Sequence, residues 1–130
     1  SAEYHVFIED VHAIFSSAAG ATFQFGYVCG AIVMGVAAFD FKYTLVQPKV
    51  WQKVIYQGIP EIRKPSFVIK SGKFEGQTRK GALDTKKMSL LATKRLFPNE
   101  DLRKSDRCKI PHNGIVDALL IAEYGRRIRV

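Results

Sequence analysis

The pattern of apolar and polar residues predicts two strands separated by a long apolar segment. Residues 4–11 are rich in β-branched and aromatic side chains, which favours a strand. Residues 6–8 are continuously apolar, as in a strand buried on both faces. Residues 43–46 predict a second short strand. Pro48 predicts that a helix begins there and runs to about Tyr56, because proline suits a first helical turn.

The segment between these strands contains no Asp, Glu, Lys or Arg from residue 11 to residue 39. We expect a loop over residues 16–22 that ends in a Thr22 cap, and then a buried, close-packed helix over residues 23–39. The uncharged stretch would almost span a bilayer, which leaves a membrane helix as an alternative. Its Gln24, its three glycines and the lack of a flanking basic cluster favour the buried helix.

The remaining pattern predicts a basic loop and two further helices. Residues 63–87 predict a mobile basic loop that contains one candidate strand, at residues 66–70. Residues 83–97 predict a helix, and its apolar face comprises Met88, Leu91, Ala92 and Leu96. The last helix is expected to begin at residues 112–114 and to end near Tyr124. Strands followed by helices predict the α/β class in a single domain over residues 1–130, although two confident strands are few for a stable sheet.

The distribution of charge divides the chain. The first 41 residues carry four acidic and no basic side chains, which gives −4; the rest carry 20 basic and eight acidic ones, which gives +12 and the total of +8. A basic surface favours nucleic acid or an anionic membrane as the partner. We expect phosphate contacts from the basic segment, through Lys70, Lys73, Arg79, Lys80, Lys86 and Lys87.

The cysteines and the first residues bear on the compartment. Cys29 and Cys108 are too few and too far apart for a disulfide framework or a zinc knuckle, so we expect two reduced cysteines in an intracellular protein. The first residues contain no basic segment followed by an apolar core, and we therefore expect no signal peptide.

Acidic and amide side chains mark a candidate cation site. Glu9 and Asp10 end the first apolar strand, where a carboxylate is costly unless it meets a cation. Asn113 and Asp117 are four residues apart, so they share one face at the start of the last helix. Oxygen ligands of this kind suit Mg²⁺. The spacing is equally compatible with an Asp117 that caps the helix or pairs with an Arg.

Three motifs in a fixed order resemble a known family. Residues 8–13 read IEDVHA, and after a small-residue loop residues 22–26 read TFQFG at the start of a Gly/Ala-rich helix. Residues 44–53 read TLVQPKVWQK, and residues 112–125 read HNGIVDALLIAEYG. These motifs resemble the RuvC-like Holliday-junction resolvases, whose final motif usually reads His-Asp-Gly-x-x-Asp-Ala-Leu-Leu-Ile-Ala. The similarity covers most of residues 4–57 and 86–126.

The resemblance implies an RNase H-like mixed sheet flanked by helices, a homodimer, and Mg²⁺- or Mn²⁺-dependent nicking of four-way DNA junctions. It implies no membrane, no small-molecule cofactor and an intracellular, DNA-associated location. Glu9 matches the second acidic position of the family and Asp117 the last, whereas Asn113 stands where the third is normally Asp. The first acidic position belongs to N-terminal strands that we expect to be missing from this sequence.

These departures shape the expected activity. An amide carries no charge and holds Mg²⁺ poorly, so we expect this chain to bind junctions without cutting them. The alternative is a non-catalytic module of the same fold that binds branched DNA.

The types and spacing of several other residues predict where their side chains lie. Phe23 and Phe25 are candidates for a wedge in the junction centre, since aromatic rings stack on bases, and we expect one of them to be exposed and the other to lie in the core. Trp51 is expected in the core. Glycines in the apolar helix are expected to permit close packing at a dimer interface. The three histidines, His5, His12 and His112, are expected to be structural.

Overall fold

The computed structural model describes residues 3–11 and 18–128; His12, the end of the IEDVHA motif and the start of the expected loop at 16–22 lie outside the described residues. The described chain has mixed α/β structure, which confirms the predicted class. Its elements are β1 (His5–Glu9), α1 (Ala19–Ala38), β2 (Lys42–Val46), α2 (Pro48–Ile55), β3 (Phe67–Val68), β4 (Thr78–Arg79), α3 (Thr85–Leu96) and α4 (Asn113–Ile128).

The chain forms two compact units. The first unit comprises Ser1–Lys53 and Ile121–Val130, and the second unit comprises Val54–Leu120. The first unit contains a parallel sheet of β1 and β2, in which Glu9 lies opposite Val46. Parallel strands need a long crossover connection, and α1 provides it. The buried apolar side chains of this unit are Val46, Trp51, Ile121 and Tyr124.

β1 confirms the predicted strand but not its predicted burial. All five residues of β1 are half-buried, whereas the apolar run at residues 6–8 predicted burial on both faces. The sheet formed by the described residues has two strands, so β1 has a hydrogen-bonded neighbour along one edge. The apolar run therefore correctly predicted a strand, but its prediction that the strand is buried on both faces is wrong.

α1 differs most from its prediction. The helix begins at Ala19, so Thr22 lies inside it rather than at its cap, and the N-cap residue Ala18 makes no side-chain cap bond. The prediction of a buried helix is wrong for the single chain, because no residue of α1 is buried. Apolar side chains occur on every face of this helix, so one neighbouring sheet can cover only part of its circumference. In the described part of the chain, α1 is also the helix whose length and composition would let it cross a membrane.

The second unit replaces the centre of the expected basic loop with a hairpin. β3 and β4 pair antiparallel, with Phe67 opposite Arg79 and Val68 opposite Thr78. The expected loop therefore contains a short hairpin, and the candidate strand at 66–70 is confirmed in a shorter form. At the base of the hairpin, a Cβ atom on Gly81 would collide with the backbone carbonyl of Lys64. Glycine is therefore required where these two backbone segments approach each other.

α3 follows the hairpin, and the burial of its side chains agrees in part with the predicted apolar face. The side chain of Asp84 caps the helix by accepting a hydrogen bond from the Lys87 N–H at 3.2 Å. Met88 and Ala92 are buried as predicted, whereas Leu91 is half-buried and Leu96 is exposed. Leu96 is the last residue of the helix.

α4 runs one turn beyond its predicted end, and a buried carboxylate stabilises that turn. Glu123 accepts hydrogen bonds from Arg126 at 2.8 and 2.7 Å and from Arg127 at 3.1 Å. The hydrogen bonds from Arg126 are the main reason that the pKa of Glu123 falls from 4.5 to about 2, against the opposing effect of burial. The ionised form is thus favoured in the folded chain.

This lowered pKa predicts an acid-sensitive contribution to stability. We expect Glu123→Gln to lower the free energy of unfolding at pH 7 by about 2 kcal/mol, the scale of a hydrogen bond to a charged group. The penalty should shrink as pH falls from about 4.5 to about 2, because the wild-type carboxylate is then protonated and loses its preference for the folded state. Denaturant titrations at several pH values measure this. As a control, Asp106→Asn removes a fully exposed carboxylate and should change little; an equal penalty from both variants would contradict the prediction.

Candidate functional site

Glu9 lies at the carboxyl end of β1 and is oriented by a buried tryptophan. The Trp51 Nε1–H donates a hydrogen bond to Glu9 Oε1 at 3.1 Å. Trp51 is fully buried, which confirms its expected place in the core, and a buried indole N–H needs an acceptor. Trp51 therefore also positions the Glu9 carboxylate, a role that the sequence analysis missed. The parallel register was the available signal, since it sets Glu9 beside Val46, five residues before Trp51.

The carboxylates after β1 line a cleft within the first unit. The Asp10 N–H donates to the Val46 carbonyl at 2.8 Å and extends the strand pairing by one residue. Glu9 and Asp10 line a cleft of about 470 Å³ whose other walls come from α1 and β2, including Cys29 and Leu45. Two carboxylates in a largely apolar wall focus a negative potential, which attracts cations.

Asn113 and Asp117 lie in the second unit, at the start of α4. Asn113 is the first residue of the helix and is exposed, while Asp117 is half-buried one turn later. The two side chains share one face of the helix, as their spacing predicted. The positive end of the helix dipole favours anionic groups at this position.

The described histidines make structural contacts, in line with expectation. His112 Nδ1 accepts a hydrogen bond from the Gly114 N–H at 3.2 Å, and the His112 N–H donates to the Leu102 carbonyl at 2.8 Å. These bonds fix the entry to α4. His5 Nε2 is hydrogen-bonded to Thr44 Oγ1 at 2.7 Å and links β1 to β2.

The oxygen-bearing side chains of the candidate cation site are divided between the two units. Glu9 and Asp10 belong to the first unit, whereas Asn113 and Asp117 belong to the second. In the part of the chain that the structure describes, no three His, Cys, Asp or Glu side chains form a group that could hold a metal ion. Asn113 offers an oxygen without a charge. The binding of Mg²⁺ or Mn²⁺ by these residues therefore stays a prediction of the resemblance.

Phe23 and Phe25 are both exposed, by 70% and 47%. The expectation that one of them lies in the core is wrong, because the described chain buries no residue of α1. Both rings are accessible for stacking on a base. Since residues two apart do not share a helix face, one docked partner can engage only one of the two rings.

The cations expected to bind phosphate are all exposed, and they follow one another around the hairpin and into α3. Residues 63–87 contain eight basic and two acidic side chains, a net charge of +6. The exposed candidates are Lys70, Lys73, Arg79, Lys80, Lys86 and Lys87. Lys86 and Lys87 lie in the first turn of α3, where a cation opposes the helix dipole. A bound phosphate would relieve that repulsion.

An aromatic side chain that the sequence analysis missed lies at the tip of the hairpin. Phe74 is 45% exposed, and the cationic groups of Lys73 and Arg79 lie 5.8 and 5.2 Å from its ring centroid. The available signal was the composition of residues 73–80, in which one aromatic residue lies among three cations.

Comparisons of the chain with models of protein families, with curated proteins and with solved structures find no match.

Proposed function

We propose that this chain is the RNase H-like core of a Holliday-junction-resolving endonuclease of the RuvC-like type, and that with its present set of acidic residues it binds branched DNA without cutting it. The proposal rests on the three ordered motifs and on one structural observation. Glu9 lies at the carboxyl end of a strand in a parallel pair, beside a cleft, with its carboxylate held by Trp51. The carboxyl ends of strands in α/β sheets are where ligands commonly bind.

The basic hairpin supports the choice of DNA as the substrate. Its cations are exposed and belong to one continuous segment, which suits a run of phosphates. Contacts of this kind supply affinity without reading the sequence. Discrimination in favour of a junction then depends on the shape of the DNA and on its exposed bases.

The charge of the acidic residues supports binding without cutting. Of the acidic positions that the resemblance implies for a two-metal reaction, Glu9 and Asp117 carry a negative charge in this sequence. Asn113 adds none. Both ions would lack ligands, and the attacking water would be poorly activated.

We therefore expect the chain to bind a labelled synthetic four-way junction and to leave it uncut in Mg²⁺ or Mn²⁺. Asn113→Asp alone should restore little cutting. It brings the negative charges of residues 9, 113 and 117 to three, against the four positive charges of two dications. The measurements are a gel-shift titration and a denaturing gel of the same reactions, with a linear duplex of equal length as the control. Robust cutting by the wild-type chain would show that the metal ligands are misassigned, and Asp10 and His112 would then be the first residues to test. No junction binding at all would overturn the proposed function.

We also propose that the chain forms a homodimer through α1, whose uncharged surface of 20 residues is not buried in the single chain. Large exposed apolar patches usually mark an interface. Within α1, Gly26 and Gly30 have open space around them, so Gly26→Leu and Gly30→Leu should not disturb the single chain.

If a second copy packs closely against α1, each of these substitutions should raise the dissociation constant of the dimer by at least about fivefold, because overpacking typically costs about 1–3 kcal/mol. Sedimentation at micromolar concentration measures this. A wild-type monomer would overturn the dimer, and a wild-type protein that requires detergent for extraction would favour insertion of α1 into a membrane.

A further inference from the structure

The tip of the hairpin holds an aromatic ring in a defined position. The turn is closed by two backbone hydrogen bonds of 2.9 Å, from Ile69 N–H to the Gln77 carbonyl and from Gly76 N–H to the Ile69 carbonyl. Gly72 and Gly76 adopt φ angles of 90° and 84°, which favour glycine. Phe74 lies between these glycines. The turn therefore presents the Phe74 ring on a fixed backbone rather than on a free loop.

The surroundings of Phe74 combine two kinds of contact. The ring is about half exposed, and the Lys73 and Arg79 cations lie within 6 Å of its centroid, in the range of cation–π attraction. Aromatic rings among cations are the usual means of binding single-stranded nucleic acid, since the ring stacks on a base while the cations contact phosphates. A base-paired duplex hides the faces of its bases and would leave the ring without a partner.

We propose that the hairpin binds an unpaired nucleotide of DNA, whose base stacks on the exposed part of Phe74 while Lys73 and Arg79 contact the flanking phosphates. This inference deepens the proposed function and rests on it, because branched DNA is the substrate that would bring unpaired bases to the hairpin. It also assigns base stacking to the second unit, in addition to the exposed rings of α1.

The first test uses tryptophan fluorescence. Trp51 is the single tryptophan and is fully buried, so its fluorescence provides a constant background. Phe74→Trp would add one exposed indole to it. The probes are an oligothymidylate of about 12 nucleotides, within the range that one such binding site covers, and a duplex of the same length. We expect the single strand to quench the new fluorescence strongly. The duplex should quench it much less, because its phosphates contact the cations while its paired bases cannot stack on the indole.

A matched variant in the same hairpin controls for nonspecific quenching. Phe67 is exposed to a similar extent, at 54%, and no cation is found over its ring among the described residues. Phe67 lies opposite Arg79 in the strand pair, but no base is proposed to stack on it, so the single strand should quench Phe67→Trp much less than Phe74→Trp. Equal quenching at both positions, or none at Phe74, would overturn the assignment.

Affinity gives an independent measurement. Phe74→Leu should weaken binding of the oligothymidylate by about tenfold, the scale of losing one base–aromatic stack, whereas Phe67→Leu should not. Thermal melts establish that both variants are folded. If wild-type protein binds a four-way junction but not the single strand, this inference fails and the proposed function stands. If it binds the single strand through Phe74 but not the junction, the proposed function fails and the hairpin site stands.

Discussion

Replacing four cations of the hairpin with alanine should weaken binding to both branched and linear DNA and flatten its dependence on salt. The four are Lys70, Lys73, Arg79 and Lys80, all of which are exposed. Each phosphate contact that is lost lowers the number of counterions that binding releases from the DNA. The slope of log K against log salt should therefore fall by about 1 per contact, or about 4 in all.

A control variant separates local contacts from the loss of net charge. The second unit offers a matched set of three lysines and one arginine outside the hairpin, all exposed: Lys94, Lys104, Arg107 and Lys109. Replacing these four with alanine reduces the net charge from +8 to +4, as the hairpin variant does. Salt titrations of both variants on one junction compare them. Equal slopes would show that DNA responds to the overall field and does not contact the hairpin.

Gly125→Val should destabilise the fold more than any surface change described above. Gly125 is buried in α4, and a Cβ atom there would overlap the ring of Phe7 in β1. That ring is held by stacking on His5 at 4.7 Å between centroids and by an edge contact with Tyr124 at 6.4 Å. The ring must leave this position to admit a side chain, and overpacking of this kind typically costs about 1–3 kcal/mol.

Helix propensity alone predicts the opposite sign for a smaller change at the same position. Glycine within a helix is about 1 kcal/mol less favourable than alanine, so Gly125→Ala would stabilise α4 if no clash occurred. The exposed Ala122 calibrates this effect, because Ala122→Gly in the same helix should cost about that amount. Denaturant unfolding of the three variants gives the comparison. A Gly125→Ala variant more stable than the wild type would show that Phe7 moves aside at little cost.

The strands and helices with strong local signals could be predicted from the sequence. β-branched and aromatic residues marked β1 and β2, Pro48 marked the start of α2, and the HNG triplet at residues 112–114 marked the start of α4. The hairpin was harder because β3 and β4 are two residues long each, too short for an alternating pattern. Its pairing depends on turn geometry at glycines rather than on hydrophobic periodicity.

The surroundings of each element were less predictable than the elements themselves. The apolar composition of α1 indicated a surface that avoids water, but composition does not specify what covers it. For the candidate site, the sequence provided the residue types at Glu9, Asn113 and Asp117. The Trp51–Glu9 hydrogen bond and the Phe74 cation contacts arise from strand register and turn geometry, which single residues do not encode.

The arrangement of the two units along the chain has a consequence for the order of folding. The second unit is continuous, whereas the first is interrupted by it and includes Ile121–Val130. The hairpin joins residues 12 apart and the β1–β2 pair joins residues 37 apart, so loop closure costs the parallel pair about 1 kcal/mol more. During synthesis, which proceeds from the N-terminus, the continuous unit can be completed first. The unit that the ribosome begins first then stays open until the last turns of α4 have emerged.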